Sequence, residues 1–191
     1  MIGQIVTPRL VLRPVSLADT AALLPLFNDW AVIKWLSAPP WPYSEADMRG
    51  YFAALLASPA PDREVFLVIE RQGQPIGGIS HRMRRAGRLQ SGDGPNIGYW
   101  LARSHWGHGY MTEAACHLIQ HLFTTTQANA IYSGAFEGNT PSLHVQEKLG
   151  FARGCVTMLR SNPRQLDLPH TNTVLTRATY ETLKRSPHAI S

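Results

Sequence analysis

Apolar and polar positions along the chain change period several times, and each change marks an element. Arg9-Leu-Val-Leu-Arg-Pro-Val15 alternates in steps of two and predicts a strand. Ser16-Leu-Ala-Asp19 has the form of a capping box, and apolar residues at helical spacing follow as far as Phe27. Ser44-Glu-Ala-Asp47 is a second box, opening a helix to about Ala57. Glu64 to Glu70 and Pro75 to Met83 read as strands joined by Arg71-Gln-Gly-Gln74, where Gly73 suits a positive φ. Asn96 to Ala102 is the next strand. From Tyr110, residues Met111, Ala114, Ala115, Leu118, Ile119, Leu122 and Phe123 fall on one face of a helix. Ala130 to Phe136 is a strand, and Pro141 to Leu149 a helix capped by Asn139 or Thr140 and stopped by Gly150. Ala152 to Leu159 and Asn172 to Arg177 are the last strands, and the tail beyond about Lys184 is expected to be loose. Antiparallel hairpins combined with a strand–helix–strand crossover predict an α+β, or mixed α/β, domain. No linker interrupts the pattern, so residues 1–191 are expected to form one domain with its core at about 7–180.

Composition adds limits. Hydrophobic residues make up 44% and charged residues 16%, which fits a globular protein with a substantial core. No apolar run approaches the roughly 20 residues that span a bilayer, and no export signal opens the chain. Cys116 and Cys155 lie in unrelated segments and suggest no disulfide framework, so a reducing cytoplasm is the expected location. The net charge of +5 is mild and spread out. Its densest group, Arg82, Arg84, Arg85 and Arg88, has no interleaved aromatics and reads as a solvated loop rather than a nucleic-acid site, although those arginines could also help to hold a phosphate. Neither a membrane nor a nucleic acid is expected as a partner.

The chemistry sits between the fourth predicted strand and the helix at Tyr110. His105-Trp-Gly-His-Gly-Tyr-Met-Thr112 joins them. A glycine turn feeding a helix N-terminus presents unpaired N–H groups and the positive end of the helix dipole. Glycine lets a ligand approach that backbone closely. The turn therefore points to a phosphate-bearing ligand, most simply a pyrophosphate. The Lys-Ser/Thr of a P-loop and the full dinucleotide fingerprint are both missing.

Three motifs in order carry a family resemblance: Thr7-Pro-Arg-Leu-Val-Leu-Arg13, Trp106-Gly-His-Gly-Tyr-Met111, and Asn139-Thr-Pro-Ser142 followed by Glu147-Lys-Leu-Gly-Phe151. Together with the element order they resemble the GNAT acyl-CoA N-acyltransferases, in the RimJ/RimL-type branch. The resemblance implies a mostly antiparallel twisted sheet splayed at the fourth strand and flanked by about four helices. It implies acetyl-CoA as co-substrate, with no metal. N–H groups from about Gly107 to Thr112 would hold the CoA pyrophosphate. Here Trp106 stands at the family pattern's first position and Met111 at its last; Gly109 matches strictly. His108 stands where the family often has Lys or Arg. Tyr99, Trp100 and Leu101 would pair with the pantetheine, and one of their N–H groups would polarise the thioester carbonyl. Trp106, Gly107, His108, Gly109, Tyr110, Met111 and Thr112 complete the expected cofactor site.

By the same resemblance Asn139 contacts the pantetheine or orders a water. Many relatives have a Tyr at the position of Gln146 that protonates the leaving thiolate; glutamine cannot, and the role passes to Ser142. The alternative for Asn139 and Ser142 is helix capping alone. The implied activity is transfer of an acetyl group to a primary amine by direct attack in a ternary complex. That amine would be a protein N-terminal α-amine or a small molecule, and no acidic cluster points to a polycation. A CoA-binding sensor or degenerate module without transferase activity is the alternative. The resemblance suggests a monomer or homodimer.

The sequence leaves the general base open. Glu137, at a strand end beside Asn139, is the first candidate; His81 and, through water, Glu64 follow. Glu113 reads as a first-turn acid that points away from the phosphate. His117 and His121, at i and i+4, lack a third ligand and lie opposite the apolar stripe, so a metal site is not expected. Trp35, Pro39, Pro40, Trp41 and Pro42 either line a substrate entrance or pack a loop.

Overall fold

The computed structural model describes residues 3–58, 64–87 and 92–185. Eight strands form one sheet: β1 (Ile5–Val6), β2 (Val11–Pro14), β3 (Val65–Arg71), β4 (Gln74–Arg84), β5 (Gly94–Leu101), β6 (Ala130–Phe136), β7 (Ala152–Ser161) and β8 (Leu166–Thr176). Their spatial order is β1-β2-β3-β4-β5-β6-β8-β7. All neighbours are antiparallel except β5 and β6. The helices are α1 (Thr20–Phe27), α2 (Trp30–Ile33), α3 (Glu45–Ala57), α4 (Tyr110–Thr125), α5 (Thr140–Lys148) and α6 (Arg177–Arg185). A short 3-10 turn, Leu17–Asp19, leads into α1.

Local chemistry explains these bounds. Ser44 accepts from Asp47 N while Asp47 accepts from Ser44 N, so the predicted box opens α3. Gln72 and Gly73 both take positive φ, which matches the tight β3–β4 hairpin. The α4 stripe read from the sequence is buried in full. That helix ends in Thr124, Thr125 and Thr126, whose hydroxyls bond carbonyls one turn back. Arg177 donates to Phe123 O and Thr126 O at 2.9 and 2.8 Å, placing a cation at the negative end of α4.

Two apolar clusters sandwich the sheet. On one side α4 packs against Leu67, Ile69, Ile79, Ile97 and Ile131. On the other, residues of α1 to α3 pack against Phe66, Val68 and Trp100. Because strand side chains alternate, β5 sends Tyr99 toward α4 and Trp100 toward α1.

Two helices add to the four that the sequence pattern predicts. One is the short α2; the other is α6, which begins at Arg177, where the pattern expects a strand to end. Strand β8 starts at Leu166, six residues before the predicted Asn172. Residues 186–191, the expected loose tail, and Arg88 of the arginine group lie outside the described residues. Among the described residues, no helix is long and apolar enough to cross a membrane.

His81 is a buried liability on the α4 side. It follows Ile79 at a spacing of two, and both ring nitrogens are buried without partners. Burial first, and His121 second, push its pKa down to about 4, against an opposing pull from Glu64. Protons then bind the unfolded chain better than the folded one below the ordinary histidine value. Stability from this group is therefore intact near pH 7 and lost as pH falls toward the folded value. Urea unfolding should show a loss of about 2 kcal/mol between pH 7 and pH 5 that His81→Leu lacks. Equal pH dependence in the two proteins would show that His81 does not carry the effect.

Candidate active site

The β5–β6 pair holds the key geometry. Only Asn96 and Tyr132 are in register, whereas β4 and β5 pair along eight positions. Beyond Asn96 the two strands part, and a cavity of about 560 Å³ opens there. At its mouth the chain turns into α4. Gly107 and Gly109 both have φ of 78°, a left-handed conformation that glycine adopts without strain. Trp106 Nε1 donates to Leu101 O at 2.8 Å and ties the turn to the strand end. The first helical bond is Glu113 N to Gly109 O, so the N–H groups ahead of it stay free of helix partners. Arg9 and Arg71 pack on the Tyr110 ring at 4.7 and 5.3 Å. Arg9 also donates to His108 O at 3.0 Å and pairs with Glu113 at 2.6 Å. Glu113 is thereby turned toward Arg9 and Thr7, away from the turn. Free N–H groups, a helix dipole and two guanidinium groups make this end suited to an anion.

The far end of the cavity carries a hydrogen-bonded cluster. Tyr99 from β5 brings its hydroxyl to 3.1 Å from Ser142 Oγ on α5. Gln146, one turn along α5, donates from Nε2 to Ser142 Oγ, Tyr99 Oη and Gly134 O at 3.2 to 3.3 Å. Its Oε1 accepts from Thr173 Oγ1 at 2.6 Å. Gln146 is thus fixed at both ends and orients two hydroxyls at the splay. Burial raises the Tyr99 pKa, opposed by the bonds to Ser142 and Gln146, so the phenol keeps its proton at neutral pH. Asn139 precedes α5, but its side chain makes no capping bond and lines the cavity instead.

This layout coincides with a known family. A family model for the Acetyltransferase (GNAT) domain matches residues 9–152. The chain belongs to the GNAT family of acetyltransferases. It is of the RimJ/RimL type, an N-acetyltransferase by its family and relatives. The uncharacterized N-acetyltransferase p20 of Bacillus licheniformis is 29% identical over 150 residues, covering 77% of this chain and 81% of that one. The structure of Mycobacterium smegmatis RimJ, in complex with CoA-disulfide, aligns with a TM-score of 0.75 at 25% identity, covering 98% of this chain and 90% of that one. RimL, a ribosomal L7/L12 α-N-protein acetyltransferase solved with coenzyme A, aligns at 0.76 with 18% identity, covering 90% and 96%. This last likeness concerns the fold.

In this GNAT chain the cavity gathers most of the residues singled out from sequence. Tyr99, Trp100, Leu101, Trp106, Gly107, Gly109, Tyr110, Met111, Thr112, Asn139 and Ser142 all line it. Two do not. His108 packs its ring on Tyr110 at 5.5 Å, and its carbonyl accepts from Arg9. Glu137 is exposed at the end of β6, outside the lining. The other base candidates also lie elsewhere: His81 faces α4, and Glu64 accepts from Tyr51 Oη at 3.0 Å. Of the Trp/Pro segment, Trp35 reaches the cavity, while Trp30 and Trp41 pack on each other at 5.2 Å. Among the described residues no group of His, Cys, Asp or Glu could hold a metal, and His117 Nδ1 donates to Glu113 O.

The sequence reading missed Arg9, Arg71, His170 and Asn172. Arg9 stands inside the quoted opening motif and Arg71 inside the hairpin turn, yet nothing in their spacing points to the α4 N-terminus. The last two lie on β8, His170 ahead of the stretch read as a strand and Asn172 at its start.

Proposed function

We propose that the chain transfers the acetyl group of acetyl-CoA to a primary amine by direct attack in a ternary complex. The observation that carries this reading is the continuity of the site: the anion-binding end of α4 opens straight into the β5–β6 gap, and Ser142 stands at the gap's far end. The N–H groups from Gly107 to Thr112 take the pyrophosphate, helped by Arg9 and Arg71. The pantetheine lies between the parted strands and pairs with backbone of Tyr99 to Leu101. A backbone N–H there stabilises negative charge as it develops on the thioester oxygen. The amine attacks the carbonyl carbon, the C–S bond breaks, and Ser142 Oγ gives its proton to the departing sulfur. Asn139 completes the wall beside the pantetheine.

The acceptor end favours a monoamine over a polycation. The lining of the whole cavity includes Arg84, His144, Lys148 and His170, and no Asp or Glu. An N-terminal α-amine or a small neutral or anionic amine fits that charge. RimJ and RimL, to which the chain is similar, support the first.

Calorimetric titration tests the reading. Acetyl-CoA should bind in the micromolar range, CoA comparably, and NAD not at all. An amine panel read by thiol release then identifies the acceptor. A folded protein that binds none of the three would overturn the proposal. Binding without turnover on any amine would favour the sensor alternative.

A further inference from the structure

The proposed transfer needs a proton acceptor for the incoming ammonium, and none of the acidic candidates reaches the cavity. We propose that His170 of β8 is that base, acting through Nε2, with Asn172 as the residue that positions it. This rests on the transferase reading above.

Placement carries the argument. Thr173 bonds Gln146 on the α5 side of the sheet, so its neighbour Asn172, and His170 two residues before, point to the opposite side. There both line the cavity. The His170 ring stands edge-on to Phe136 at 5.4 Å and lies over Gly134. A Cβ on Gly134 would strike the ring at Cε1 and come within 3.0 Å of Nε2. Gly134 is also the residue whose carbonyl receives Gln146. Imidazole and the Ser142 cluster therefore meet the same point of β6 from opposite faces. An amine arriving from the α1 side and a thioester held on the other would meet between them.

The tautomer follows from Asn172. Its Nδ2 donates to Cys155 O at 2.9 Å and Thr157 Oγ1 at 3.2 Å, which fixes the amide and leaves Oδ1 turned away. That Oδ1 and His170 Nδ1 are both buried without a hydrogen-bond partner. The two side chains interact in the sense that favours a protonated ring. We assign the ring proton to Nδ1, which gives that oxygen a donor to turn toward and leaves the lone pair on Nε2. Burial, the larger influence, lowers the imidazole pKa, so the ring is neutral and able to accept at pH 7. Other groups on this side are Arg164, whose guanidinium packs on Phe136, and Cys155 on β7; Arg84, which pairs with Gly94 at the end of β5 opposite Leu101, also lines the cavity.

The protons balance. One leaves the ammonium to His170 Nε2 and passes to solvent. The free amine forms the C–N bond, and the C–S electron pair goes to sulfur, which takes the proton of Ser142. The nitrogen's second proton is lost after attack and restores the serine. The products are the amide, CoA thiol and one released proton.

The test uses the full chain with acetyl-CoA and two probes, glycinamide, largely ammonium near neutrality, and hydroxylamine, already uncharged there. His170→Gln should lower kcat/KM for glycinamide by roughly 100-fold but for hydroxylamine by less than about threefold, with acetyl-CoA affinity unchanged. Wild-type activity on glycinamide should fall as pH drops through the ring's lowered pKa. Asn172→Ala should move that limb to still lower pH, because the contact with Asn172 favours the protonated ring. Equal losses on both probes would overturn the proposal. Ring NMR of the free protein needs no acceptor: an Nδ1–H tautomer titrating below the ordinary value is expected, and an Nε2–H tautomer or an ordinary midpoint would overturn the assignment. If wild type fails to bind acetyl-CoA, the transferase reading falls instead, and the ring result stands apart from it.

Discussion

Gly109→Glu is expected to weaken acetyl-CoA binding by at least roughly 100-fold, about 3 kcal/mol, while the protein stays folded. Three effects add. Gly109 sits at φ 78°, so any side chain there strains the backbone that aims the α4 N–H groups, at a cost of order 1–3 kcal/mol. A carboxylate at the helix N-terminus would occupy the anion position itself. Finally, a Cβ on Gly109 would lie 3.5 Å from Arg9 Nη2, so the new carboxylate would draw that guanidinium to itself and away from a phosphate. Gly109→Ala separates the terms, because it keeps the strain and omits the charge. Calorimetry should place the alanine variant between wild type and glutamate. If the glutamate variant binds as wild type does, the phosphate is held elsewhere and the assignment of the turn is wrong.

Elements whose inward face is apolar were legible in the sequence. The α4 stripe, the β3–β4 hairpin and β6 appear where the pattern puts them, because core burial imposes a period of 3.6 or 2. Strand β8 was not. Its α1-facing positions include His170 and Asn172, which border a cavity instead of a core, so alternation of apolar and polar residues is lost there. Strand β7 is exposed over most of its length, yet it was read at Ala152 to Leu159, two residues short of its end at Ser161. Helix α6 has no buried residue and starts with Arg177, whose purpose is to meet the carbonyls of α4. In the site, the half that depends on backbone was readable: a Gly-x-Gly turn before a helix carries its own chemistry. The half that depends on side chains from distant strands was not. Glu137 is near Asn139 in sequence, yet the chain turns it outward, while His170 arrives from 31 residues further along through β6–β8 pairing.

Ser142→Ala is the second large effect, and here turnover should fall by roughly 100-fold with acetyl-CoA affinity nearly unchanged. The fold tolerates the loss, because Gln146 Nε2 keeps Tyr99 Oη and Gly134 O as partners and no buried donor is orphaned. The thiolate, however, loses the hydroxyl placed to protonate it. Tyr99 stands 3.1 Å behind that hydroxyl and can relay the returning proton to it, so the two form one proton path. Tyr99→Phe alone should then slow turnover less than Ser142→Ala does. Adding it to Ser142→Ala should cost little more, since the path is already cut. Full additivity of the two changes would mean that Tyr99 acts on the substrate independently. A Ser142→Ala enzyme with wild-type turnover would return the serine to plain helix structure and leave the sulfur to be protonated by water or by the phenol directly.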